Sequence, residues 1–72
     1  MPTTTPEETA ACLIAENFSI EQYEHIQEIR RARLKTFEGT GVPALIKAAQ
    51  ELVDFGEEVL KLMREANDIK NL

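Results

Sequence analysis

Apolar and polar positions recur with helical spacing in three stretches of the chain, and nowhere alternate with period two for long enough to form a strand. The first stretch opens on Thr5-Pro6-Glu7-Glu8. Thr5 suits a helix cap, Pro6 the first helical position with its fixed φ, and Glu8 completes a capping box. Ala10, Ala11, Leu13 and Ile14 follow, and Asn17 is a stop. The second stretch opens on Ser19 with Gln22 three residues later, a second capping box, and Phe18 with Tyr23 makes a hydrophobic staple across it. Its stripe is Ile20, Tyr23, Ile26, Leu34 and Phe37, and Gly39-Thr40-Gly41 supplies a left-handed cap and a tight reversal.

The third stretch starts near Val42-Pro43 and carries an unbroken seven-residue repeat. Position a holds Leu45, Leu52, Val59 and Ala66, and position d holds Ala48, Phe55, Leu62 and Ile69. Column b (Ile46, Val53, Leu60) and column e (Ala49, Gly56, Met63) are apolar or small as well, while Glu51, Glu58 and Glu65 fill column g. A two-stranded seam needs only a and d. Four such columns require cover from two sides. The pattern predicts an all-α fold, a single small helical domain over 1–72 with helices near 6–16, 20–38 and 43–70.

The short reversal predicts an antiparallel hairpin of the second and third helices, in which facing residue numbers add to roughly 81. Ile26 then lies near Phe55, and Tyr23 near Glu58 and Val59. The second helix runs out before the third does. The overhang from Leu62 to Ile69, about 12 Å at the standard rise, is left to the first helix. One apolar side of the third helix stays uncovered, which predicts a homodimeric four-helix bundle. Ala49, Leu52, Val53, Gly56, Leu60 and Met63 are the candidate oligomer interface, with Gly56 at or near a crossing with a partner helix, because a mid-helix glycine costs about 0.8–1 kcal/mol relative to alanine.

Size and charge sharpen this expectation. At 72 residues and 8.1 kDa the chain buries only about 60% of its unfolded surface, so it is marginal as a monomer. Eight basic against thirteen acidic residues give a net charge of −5, which disfavours a phosphate-tracking role. Cys12 is the only cysteine, so neither an intrachain disulfide nor a Cys-based zinc site is expected. No apolar run approaches a membrane span, and residues 1–6 lack the pattern of a secretory signal, which predicts a cytoplasmic protein.

The distinctive polar feature is Arg30-Arg31-Ala32-Arg33-Leu34-Lys35, which follows 29 residues without a lysine or arginine. Its simplest role is to complement the helix dipole and nearby glutamates. Arg30, Arg31, Arg33 and Lys35 are also the candidate partner-binding residues, arginine being favoured at protein interfaces. Arg30 falls within the apolar stripe and so needs a carboxylate or an escape route to water. Glu51 fits the pairing rule, so an Arg30–Glu51 structural ion pair is expected within or between chains. His25 among Glu21, Glu24 and Glu28 reads as a solvated histidine rather than a metal ligand, and Cys12 as a small, partly buried residue.

No nucleophile–base pair, phosphate loop, metal motif or cofactor site is legible, so no enzyme and no cofactor is expected. The reading is a small acidic dimeric helical interaction module, an adaptor, inhibitor or regulatory subunit compatible with a phage- or plasmid-encoded origin, acting by binding another protein. Two alternatives remain. One is a nucleic-acid-binding regulator using the Arg30–Lys35 segment, against which stands an acidic would-be recognition helix. The other is an oligomeric binder of a small anion or nucleotide.

Overall fold

A computed structural model describes residues 4–70; residues 1–3, half of the stretch searched for a secretory signal, lie outside it. Three helices make up the fold: α1 (Pro6–Ala15), α2 (Ile20–Thr40) and α3 (Pro43–Lys70). Among the described residues there is no strand, and no helix is long and apolar enough to cross a membrane.

Local chemistry sets each boundary. Thr5 Oγ1 accepts from the Glu8 amide at 3.1 Å and begins α1. Asn17 ends it in the left-handed region, φ 58°. The Asn17 amide donates to the Ile14 carbonyl at 3.1 Å and the Phe18 amide to Leu13 at 2.9 Å, the two bonds of a Schellman closure. Ser19 and Gln22 form the reciprocal capping box that starts α2, and the Phe18 ring meets Tyr23 edge-on with centroids 6.4 Å apart. At its far end α2 runs through Thr40, two residues past the expected stop. Gly39 is therefore helical and Gly41 alone turns left-handed, φ 70°. The Thr40 hydroxyl tightens this end, donating to the Phe37 carbonyl and accepting from the Val42 amide. The Val42 carbonyl then accepts from both Leu45 and Ile46, opening α3 at Pro43.

α3 is the spine, and both α1 and α2 pack on it. The core gathers Ala10 of α1, Tyr23 of α2, and Val59, Leu60 and Met63 of α3, with Leu13, Phe18, Ile26, Phe55 and Leu62 packed around it. Burying each large apolar side chain contributes about 1.5–3 kcal/mol. Two ion pairs on the surface, Arg31–Glu57 and Arg64–Glu24, tie α2 to α3. Their side chains are about half exposed, so each contributes about 0–1 kcal/mol.

The core also holds one polar side chain that the helical stripe did not include. Gln27 is wholly enclosed, its amide donating to the Val53 carbonyl at 3.0 Å and its oxygen accepting from Arg30 at 2.8 Å. Gly56 makes the space: a Cβ there would overlap the Gln27 carboxamide. Gly56 thus marks a close approach to α2 of its own chain, which corrects its expected place against a partner helix. The same correction holds for Val53, Leu60 and Met63. All three are buried within the chain, because α1 and α2 already cover the side of α3 that carries them.

The molecule is flat. Its extents are 46 × 28 × 16 Å and its radius of gyration is 13.9 Å, against about 11 Å for a compact domain of this length. The accessible surface is 5417 Å², whereas a compact monomer of this mass exposes about 4500 Å². α1 covers only one end of the α2–α3 pair, and the other end leaves apolar surface that a fully two-layered domain encloses.

Candidate functional site

That unenclosed surface lies toward the reversal between α2 and α3. A groove of about 350 Å³ is floored by Leu45, Ala48, Ala49 and Leu52 of α3 and Phe37 of α2, with Arg30 and Arg33 on its α2 side. Leu45 and Leu52 are 43% and 46% exposed, high for side chains of a heptad seam. α1 spans only ten residues, and the core places it over Val59 to Met63. The lower stretch of α3 therefore has α2 beside it and no third helix above it.

A second hollow, of about 380 Å³, sits at the joint of α1 and α2. Ile14, Phe18, Ile20 and Met63 line it, with Glu21, Asn17 and Asn67 at the rim. Exposed Ile14 and Ile69 add apolar surface to the same end of α3.

The basic residues divide among separate tasks. Arg31 pairs with Glu57. Arg30 does not pair with Glu51 within the chain. Its guanidinium lies 5.4 Å from the centre of the Tyr23 ring and donates to the Tyr23 hydroxyl at 3.0 Å and to Gln27. The expected partner is displaced because Tyr23 and Gln27 stand two turns and one turn before Arg30 on its own helix and meet it without crossing to α3. Arg30 thereby stays half-buried as a cation with neutral acceptors only, at the lip of an apolar groove. Arg33 and Lys35 are exposed and form no ion pair among the described residues.

Of the candidate interface residues, Ala49 and Leu52 do line the open groove. Phe37, Leu45 and Ala48 join them there, and the unbroken a and d columns carried the signal that would have named Leu45 and Ala48. His25 is exposed, its ring nitrogen 3.7 Å from Glu28. Cys12 is exposed rather than partly buried, because α1 turns Ala10 and Leu13 toward α3. Comparison of the chain with protein-family models, with curated proteins and with solved structures finds no match in any of the three.

Proposed function

We propose that this chain is a protein-interaction module: an antiparallel α2–α3 hairpin, braced by α1, that assembles as a homodimeric helical bundle and acts by binding a further protein. The observation that carries this reading is the open groove over Leu45, Ala48, Ala49 and Leu52. Apolar floor, small residues that admit a close backbone, and a charged lip are the makings of a helix-in-groove contact. The exposure of Leu45 and Leu52, two position-a residues of the heptad, supports it as well. Once the groove is closed, the hollow at the α1–α2 joint of each protomer is the surface left for a different protein.

Binding is also the reading best supported by how the basic segment is spent. With Arg31 turned to Glu57 and Arg30 folded onto Tyr23 and Gln27, the run offers no continuous stripe for a phosphate backbone.

Sedimentation across a range of micromolar concentrations tests the proposal. A particle of twice 8.1 kDa is expected, and Leu52→Asp is expected to convert it to a folded single chain, since Leu52 packs little within its own chain. A well-folded monomer at every concentration removes the reading.

A further inference from the structure

Three residues in a row on α3 face three ways. Val53 faces α2, where its carbonyl takes the Gln27 amide, and Leu52 lines the groove. A further step of about 100° around the helix carries Glu51 to the flank away from α2. The flank that carries Glu51 also carries Lys47 one turn before it, so the opposition of charge is between Arg33 and Glu51 rather than between whole sides. Arg33 stands on the α2 side, and Glu51, exposed, stands on the other. Neither forms an ion pair among the described residues.

A surface with a cation on one lip and an acid on the opposite lip complements itself under a two-fold rotation whose axis runs along the groove, which sets the two copies of α3 parallel. Two parallel copies would set Leu45 across from the second copy's Leu45 and Leu52 across from its Leu52, with Ala48 and Ala49 between them. In that arrangement α3 has its own α2 on one flank and the second copy's α2 on the other. The second flank is the one that carries Glu51.

Resting on the dimer reading above, we infer that the groove is completed by a second copy of this chain, and that Arg33 of each copy pairs with Glu51 of the other across the lip. The pair is formed twice by symmetry. It sits at the rim of an apolar contact, where charge complementarity fixes which orientation is accepted and speeds encounter more than it adds raw affinity. An ion pair that sequence analysis placed on Glu51 is thus made between chains, with Arg33 as the cation in place of Arg30.

Charge reversal tests this without disturbing the fold, because both side chains are exposed and neither pairs within the chain. Arg33→Glu alone and Glu51→Arg alone are each expected to weaken self-association by about tenfold or more at low salt, with less effect at high salt. An equimolar mixture of the two variants is expected to recover the native affinity, as is the chain carrying both substitutions. Helical circular dichroism of each variant confirms that folding is kept. If the native chain dimerises and Leu52→Asp abolishes the dimer while neither reversal matters, the ionic pairing is wrong and the groove contact stands. The same holds if the mixture stays dissociated. A native chain that never dimerises overturns both and leaves the groove to an acidic helix of another protein.

Discussion

Val59 and Leu52 occupy the same column of the α3 heptad, one repeat apart, yet Val59 is 0% exposed and Leu52 is 46% exposed. Nothing in their immediate sequence explains this. Both sit on a helix with the same apolar columns, and α2 runs beside both. The difference is a third helix: α1 contributes Ala10 and Leu13 over Val59 and Met63, and nothing in the chain does so over Leu45 and Leu52. One end of the spine is a finished core and the other is half of one. A helix with four apolar columns shows how much cover it needs, but cover within the chain is limited by the length of the remaining elements.

The contrast is broken most directly by equal truncations at the two ends. Leu60→Ala is expected to cost about 2–5 kcal/mol, because the side chain is wholly enclosed and its neighbours can close the cavity only in part. In a domain whose total stability is about 5 kcal/mol or little more, that loss nearly unfolds the chain. Leu52→Ala is expected to cost the lone chain under about 1 kcal/mol. Urea melts at several protein concentrations separate the two effects. The Leu60→Ala loss persists at high dilution, whereas the Leu52→Ala loss grows with concentration as the native chain gains stability from assembly. Equal losses at high dilution would show that Leu52 belongs to a closed core and that the ends do not differ.

A smaller effect probes how α2 is held at the boundary between the ends. On propensity alone Gly56→Ala should gain about 0.8–1 kcal/mol. The added methyl would meet the Gln27 carboxamide, so the expected outcome is instead a loss of about 1–3 kcal/mol. Gln27→Ala in the same chain removes the clash. The double-mutant cycle should then show a favourable coupling of about 1 kcal/mol or more. The cost of Gln27→Ala itself is limited because the Val53 carbonyl keeps its place in the helical ladder. A stabilised Gly56→Ala would mean that Gln27 does not occupy the notch.

This lock shows where sequence reasoning reached and where it stopped. The cap at Thr5, where only half of the expected capping box forms, the full box at Ser19 with its staple, and the glycine after α2 place α1 and α2 to within two residues, because those signals are local hydrogen-bonding chemistry written over three or four positions. The heptad after Pro43 places α3. The face of α2 that packs on α3 carries Gln27 and Arg30 beside the apolar stripe Ile20, Tyr23, Ile26, Leu34 and Phe37, and these two polar members fall in its middle. Arg30 is legible there as a charge that needs a partner. Gln27 is neutral and makes no such demand in sequence, although a polar side chain at the centre of a helix face, opposite a mid-helix glycine, is a readable pair. The glycine was legible as a close approach, but which helix approaches is tertiary information. Local spacing cannot distinguish a neighbour in the same chain from one in a second copy. The groove was half legible for the same reason: the columns named its floor, and only the short span of α1 decided which part of the floor stays open.

The smallest effect isolates the brace that makes one end of α3 different from the other. Asn17 holds φ 58° at the turn from α1 to α2, a conformation that costs most residues roughly 1–2 kcal/mol and that asparagine and glycine tolerate. Asn17→Gly is therefore expected to be neutral within about 0.5 kcal/mol, and Asn17→Ala to lose about 1 kcal/mol. The position of that loss matters more than its size. The turn sets Phe18 and Leu13 against the core, so loosening it should let α1 lift from Val59 and Met63 while the lower half of α3 stays as it was. Amide hydrogen exchange reads this directly: protection should fall along α1 and near Val59 to Met63, and remain unchanged from Leu45 to Leu52. A uniform fall along the whole of α3 would mean that the two ends open as one unit, and that α1 is not what separates the closed end from the open one.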